Sequence, residues 1–150
     1  MNKWDRCFLR MALDAAQELS KDPSLKVGAL IVGDKNEVRS LGFNGCPRKV
    51  SDLPSRLERP TKLLYTVHAE LNAILNVARV GGAPLEGCTL YLNSTPYALS
   101  PCNSCALAII QAGITRVVYY KTHDIPERWR ESCGAADIMF AEAHIQVEAI

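Results

Sequence analysis

The order of helical and extended segments constrains the fold of this chain more than any other feature of its sequence. Apolar residues recur at helical spacing between Trp4 and Leu19, which predicts a first amphipathic helix. Residues 27–32 and 38–44 then have the pattern of a hairpin around the polar turn GDKNE. Farther along, the patterns predict helices at about 67–80, 102–113 and 126–142 and strands at 88–93, 115–120 and within the final HIQVEAI. This order predicts an α/β protein whose single sheet carries helices on both faces.

Length and composition bound the possible functions. We expect residues 1–150 to form a single domain, because the chain has ordinary domain size and shows no repeat or linker. A net charge of +1 argues against nucleic-acid binding through a uniformly basic surface. No apolar run approaches the ~20 residues of a membrane span, and charged residues interrupt the apolar N-terminal segment, unlike a signal peptide. We therefore expect a cytoplasmic protein with no membrane partner and no framework of disulfide bonds.

The segment VHAELNAIL carries two ionisable residues that an apolar helix does not need. His68 and Glu70 interrupt a run of residues that would pack well without them. A buried charged group is costly unless it is paired or bound to a metal ion. This pair therefore predicts a functional site at the start of the helix over 67–80.

Two cysteines downstream complete a possible metal site. Cys102 and Cys105 lie three residues apart in SPCNSC, at the predicted start of another helix, so both sulfur atoms lie on one side of its first turn. Two thiolates and the imidazole of His68 would make a three-ligand zinc site with a fourth position open for water. Glu70 would then lie beside the metal as a carrier of protons. The residues match the signature H-x-E…P-C-x-x-C of zinc-dependent nucleobase deaminases.

Longer stretches around these motifs resemble the deoxycytidylate (dCMP) deaminase family. They are KDPSLKVGALIV, GFNGCPR, VHAELNAIL, GCTLYL and PCNSCALAIIQAGITRVVYY, within about residues 20–120. The resemblance implies a cytidine-deaminase-like three-layer α/β/α sandwich with a central mixed sheet of about five strands. It also implies one catalytic zinc ion per chain, the hydrolysis of dCMP to dUMP and ammonia, a homo-oligomer, and possible allosteric control by dCTP and dTTP.

The resemblance also implies roles for individual residues. The zinc ligands would be His68, Cys102 and Cys105, and the catalytic residue would be Glu70. The substrate contacts would be Asn44 near the sugar, the backbone of Ala69 and Ser100 near the base, and Lys26 and Tyr120 at the phosphate end.

Two segments bear on which substrate is used. Residues 46–62 have a local charge of +3, so each of their cations is a candidate for holding a phosphate, although a solvated loop would have the same composition. These cations are Arg48, Lys49, Arg56, Arg59 and Lys62. The connection STPYALS is longer than usual for the family, and we expect Tyr97 or Leu99 to reach the pocket. A modified cytosine nucleotide therefore stays open as an alternative substrate.

Two further alternatives follow from the same motifs. Deamination of adenosine or cytidine in RNA would favour a strongly basic face, which the net charge of +1 does not suggest. A structural zinc module used for binding would need a fourth ligand, for which Cys46 and Cys88 are the candidates. We expect no metal role for His123 or His144, and a packing role for Trp129.

Overall fold

The computed structural model describes residues 1–120 and 125–150, so the prediction about His123 lies outside the described residues. In chain order the elements are α1 (Lys3–Leu19), β1 (Lys26–Val32), β2 (Val38–Phe43), α2 (Pro54–Leu57), α3 (Lys62–Tyr65), α4 (Ala69–Val80), β3 (Thr89–Thr95), α5 (Asn103–Gln111), β4 (Arg116–Tyr119), α6 (Glu127–Glu142) and β5 (Gln146–Ala149). None of the helices in these described ranges has the length and hydropathy needed to cross a membrane.

The five strands form one mixed sheet in the order β2-β1-β3-β4-β5. β1 pairs antiparallel with both β2 and β3, whereas β3, β4 and β5 run parallel to one another. Parallel neighbours need a crossover connection, and α5 and α6 supply the two crossovers. The predicted mixed sheet of about five strands is therefore confirmed, including a strand within HIQVEAI.

Side chains that alternate along β1 separate the two helical layers. Ala29 and Ile31 lie in an apolar cluster with residues of α4, α5 and α6. Leu30 and Val32 lie in a second cluster with residues of α1. Because successive side chains of a strand point to opposite faces, one buried strand serves both cores. The arrangement confirms the predicted three-layer α/β/α sandwich.

The structure differs from the sequence predictions in the bounds of some elements and in one longer segment. α5 ends at Gln111, two residues before the predicted end at 113. β3 extends to Thr95, two residues beyond the predicted strand, because it pairs with the first residues of β1 (Lys26 with Thr95, Val27 with Ser94). The segment 45–62, where the sequence patterns predicted no helix or strand, contains the short helix α2 and the start of α3. Pro54 occupies the first turn of α2, where its fixed φ suits a helix and its missing N–H costs no hydrogen bond.

A close backbone contact positions α4 on the sheet. A Cβ atom added to Gly42 in β2 would lie 2.2 Å from the carbonyl oxygen of Ala69 and 2.4 Å from the amide nitrogen of Ala73. Two hydrogen bonds between β2 and α4 stabilise the same contact. Ser40 Oγ donates to Ala73 O over 2.6 Å, and Asn72 Nδ2 donates to Phe43 O over 2.8 Å. The first turn of α4 is thus fixed against the strand by its backbone.

Candidate active site

Two helix N-termini meet at one end of the core, and each begins at a residue predicted to bind metal. His68 is the N-cap of α4, and Cys102 is the N-cap of α5. Neither side chain makes the capping hydrogen bond that such positions usually provide to the first turn. Both side chains are directed elsewhere, toward each other.

The three predicted ligands are close enough to bind a single ion. His68 Nδ1 lies 3.4 Å from the Sγ atoms of both Cys102 and Cys105. Zinc bonds of ~2.0 Å to nitrogen and ~2.3 Å to sulfur at a tetrahedral angle place such atoms about 3.5 Å apart. Within residues 1–120 and 125–150, this is the only group of three His, Cys, Asp or Glu side chains with ligand atoms this close together.

The protonation of the two thiols also fits a cation. A hydrogen bond from Cys105 lowers the pKa of the Cys102 thiol well below its ordinary value despite burial, and His68 lowers it further. The hydrogen bond to Cys102, together with burial, raises the pKa of Cys105. The pair therefore favours one thiolate and one thiol, and a divalent cation would displace the remaining proton. The donor set and its spacing fit one zinc ion.

Glu70 lies in the first turn of α4, next to the three ligands but outside their cluster. Its side chain is buried in the wall of a pocket that His68 and Cys102 also line. Burial raises the pKa of Glu70, and the nearby His68 opposes that rise. A carboxylate whose pKa is raised accepts a proton more readily than an ordinary carboxylate, as a general base must. The residue thus has the properties expected of a general base.

The cluster opens into a pocket on the helical face that carries α4, α5 and α6. Its cavity volume is about 90 Å³, and its mouth is open to solvent. Leu25, Val27, Leu92 and Leu99 form its apolar wall. Leu99 confirms that the STPYALS connection reaches the pocket. Tyr97 instead accepts a hydrogen bond from Arg128 of α6 at its hydroxyl, over 2.8 Å.

Three of the predicted substrate contacts line this pocket. Asn44, Ala69 and Ser100 all lie in its wall and are buried. The amide of Asn44 is already engaged, since its Oδ1 accepts from Ser20 Oγ over 2.7 Å and from the Val27 amide over 2.8 Å. Ser100 differs, because its hydroxyl is buried without a hydrogen-bond partner among the described residues.

The structure does not bring Lys26 and Tyr120 to the pocket. Lys26 Nζ turns toward α1 and donates to the carbonyl oxygen of Gln17 over 2.8 Å. Tyr120 packs with the cluster around α1, on the opposite face of the sheet. Val118 belongs to the same cluster, and residues two apart in an extended segment share a face. The predicted phosphate contacts of these two residues therefore have no support from the fold.

Sequence patterns missed two features of the pocket wall. Trp129 packs against the apolar core as predicted, but it also lines the pocket, with its ring centroid 6.2 Å from that of His68. Its Nε1 is buried without a partner among the described residues. The second feature is a buried ion pair between Asp22 and Lys62, with Nζ 2.8 Å from Oδ2. For both features the sequence offered only the types of the residues, because the contacts that form them join residues far apart in the chain.

Sequence comparison agrees with this geometry. Residues 2–121 match the family described as the cytidine and deoxycytidylate deaminase zinc-binding region. The chain belongs to this deaminase family. A zinc-binding deaminase family accounts for the three-ligand cluster and identifies the chain as a hydrolytic deaminase.

Individual relatives cover nearly the whole chain. An uncharacterised deaminase in the luxG 3′ region of Aliivibrio fischeri is 40% identical over 148 residues, 98% of this chain and 93% of that protein. The deoxycytidylate deaminase of Mus musculus is 44% identical over 151 residues, 95% of this chain and 77% of that protein. The dCMP deaminase of cyanophage S-TIM5, solved with dCMP and dUMP, has a TM-score of 0.75 and 22% identity, with 100% of this chain and 99% of that chain covered. At 22% identity, this structural similarity shows that the chain shares the fold of that protein.

Proposed function

We propose that this deaminase converts dCMP and water to dUMP and ammonia. The observation that carries the proposal is the three-ligand cluster of His68, Cys102 and Cys105 beside the buried carboxyl group of Glu70. The identity of 44% with a deoxycytidylate deaminase supports dCMP as the substrate. We propose His68, Cys102 and Cys105 as the zinc ligands and Glu70 as the catalytic residue.

The chemistry divides between the ion and the chain. A bound zinc ion supplies a Lewis acid that makes water acidic near neutral pH. Glu70 accepts a proton from the attacking water and delivers protons to N3 of cytosine and to the departing amine, so that oxygen replaces nitrogen at C4. The buried Glu70 is held at the helix start by the contact between α4 and β2. Asn44, Ala69 and Ser100 stay proposed substrate contacts, Ala69 and Ser100 through their backbone.

The alternatives receive less support. A structural zinc module needs a fourth protein ligand, and the cluster found among residues 1–120 and 125–150 includes neither Cys46 nor Cys88. Deamination of RNA would favour a strongly basic face that binds the phosphate backbone, and the net charge of +1 does not suggest such a face. A modified cytosine nucleotide stays a second candidate, because Leu99 of the lengthened connection forms part of the pocket wall.

We also propose that the enzyme works as a homo-oligomer. Leu75 of α4, Leu107 of α5 and Ile138 of α6 are at least half exposed, and exposed apolar residues on neighbouring helices favour association. Control by dCTP and dTTP and a cytoplasmic location are further proposals that rest on the sequence resemblance and composition.

The first experiment compares ammonia release from dCMP, CMP, dCTP and deoxycytidine by the zinc-loaded enzyme. We expect dCMP to be preferred. The Glu70→Gln variant should retain zinc and its fold but lose at least about 100-fold in kcat, because the amide cannot carry the proton. Glu142→Gln, at the exposed end of α6, is the matched control and should behave as wild type. Retention of wild-type turnover by zinc-loaded Glu70→Gln would contradict the mechanism.

A further inference from the structure

The pocket has two cationic side chains from the basic segment in its described wall. These are Arg59 and Lys62, which lie three residues apart on the chain. A nucleoside monophosphate carries a dianionic group that needs such a cation. The sequence offered five candidates in this segment, and their contacts now distinguish them.

Lys62 is committed to a structural role. Its Nζ lies 3.0 and 2.8 Å from the two carboxylate oxygens of Asp22 and 2.7 Å from Ser24 Oγ. An ammonium group has three N–H donors, and these contacts can use all of them. Lys62 and Asp22 are only 6% and 4% exposed, so the positive charge is neutralised within the fold. The pair joins the 45–66 segment to the turn that precedes β1.

The other cations of the segment do not line the pocket. Arg56 stacks on the ring of Tyr65 at 4.6 Å and donates to the carbonyl oxygen of Ser51 over 3.0 Å. Arg48 and Lys49 are exposed and lie outside the described pocket wall. None of these three is positioned to meet a ligand that reaches the metal cluster.

Arg59 meets the two requirements for a phosphate contact, which are a place in the pocket wall and a charge that is not already paired. It lines the pocket and is exposed, and within the described residues its guanidinium has no salt bridge or hydrogen bond. The other cation in that wall outside the metal cluster is Lys62, whose charge Asp22 neutralises, so Arg59 is the cation there that is available to a phosphate. The planar guanidinium fork matches two phosphate oxygens at once. We infer that Arg59 binds the 5′-phosphate of the substrate and makes the enzyme prefer a nucleoside monophosphate to a nucleoside. This inference rests on the proposed function.

The experiment measures kcat and KM for dCMP and for deoxycytidine in wild type, Arg59→Met, Arg59→Lys and Arg48→Met. Arg59→Met should raise KM for dCMP by about 10- to 100-fold, because it removes a charge-assisted contact. It should leave kcat/KM for deoxycytidine within about twofold of wild type, since that substrate has no phosphate. Arg59→Lys should restore part of the loss. Arg48→Met removes an exposed cation from the same segment and should match wild type for both substrates.

The outcomes separate this inference from the function itself. If wild type does not prefer dCMP to deoxycytidine, the proposed substrate is wrong. If wild type prefers dCMP and Arg59→Met retains that preference, another group binds the phosphate and the inference is overturned. An equal loss for both substrates in Arg59→Met, with zinc content unchanged, also overturns it, because a phosphate contact cannot affect deoxycytidine.

Discussion

Substitution of Gly42 by alanine tests whether the backbone contact between β2 and α4 sets the position of the active site. The added Cβ would lie 2.2 Å from Ala69 O and 2.4 Å from Ala73 N, whereas ordinary contacts begin at 3.4 Å. Both atoms belong to the helix backbone, so neither can move by a rotation of a side chain. The strand and α4 must separate by about 1 Å to restore normal contact.

This displacement acts directly on catalysis. Ala69 stands between His68 and Glu70 in the sequence, so movement of its carbonyl shifts the metal ligand and the proton carrier together. A misplacement of about 1 Å can cost roughly 100-fold in rate. Overpacking of a core contact typically costs about 1–3 kcal/mol in the free energy of unfolding. We expect losses of these sizes in kcat/KM and in stability.

The assay combines zinc content, kcat/KM for dCMP and guanidinium unfolding for wild type and Gly42→Ala. Gly134→Ala is the control, because a Cβ added at Gly134 within α6 meets nothing within 4 Å. That variant should keep its activity and gain roughly 0.5–1 kcal/mol from the higher helix propensity of alanine. Wild-type zinc content, rate and stability in Gly42→Ala would refute the reasoning.

Two further predictions concern pH and metal. Burial raises the pKa of Asp22, but hydrogen bonds from Lys62 and from backbone amides lower it by more, and the net pKa lies below its ordinary value. Asp22 therefore stabilises the fold above about pH 4, the pKa of an unfolded aspartate, and this contribution is lost as the pH falls toward the folded pKa. Between pH 7 and pH 3, urea unfolding should show a smaller loss of stability for Asp22→Asn than for wild type. Equal losses in the two proteins would contradict the assignment. Removal of zinc with a chelator should abolish ammonia release and lower the melting temperature by roughly 10 °C. One equivalent of zinc should restore both. Full activity in a preparation verified to be metal-free would contradict a catalytic zinc.

Local patterns were sufficient to predict one sheet with helices on both faces and the two motifs of the metal cluster, whereas the mixed sheet of about five strands was implied by the resemblance to the deaminase family. The spacing of Cys102 and Cys105 lies within one helical turn, and His68 and Glu70 begin a strongly apolar helix, so neighbouring residues carried the information. Strands β1, β3 and β4 were predictable for the same reason, because each contains a short apolar run. The end of β3 was missed, since the pairing with β1 that extends it to Thr95 depends on residues more than 60 positions away.

The substrate side of the site depended on tertiary contacts. Lys62 was a phosphate candidate on composition, but its charge is neutralised by Asp22, 40 positions earlier in the chain. Tyr120 was expected at the phosphate end, yet the alternation of side chains at the end of β4 places it with the α1 cluster. Composition can count the cations of a segment, but only the folded structure shows which of them is still free to bind a ligand.

The two helix starts that meet at the metal cluster have a consequence for how stability and activity oppose each other. Side chains of serine, threonine, asparagine or aspartate at an N-cap typically stabilise a helix by about 1 kcal/mol. His68 and Cys102 provide no such bond, so the chain forgoes about 2 kcal/mol of the ~5–15 kcal/mol that separates a typical folded domain from its unfolded state. In the metal-free chain, good capping residues at these two positions would therefore give a more stable protein with no catalysis, whereas in the zinc-loaded enzyme the bound ion supplies stability that the caps lack. The two positions thus tie the stability of both helix starts to the metal ion as well as to catalysis.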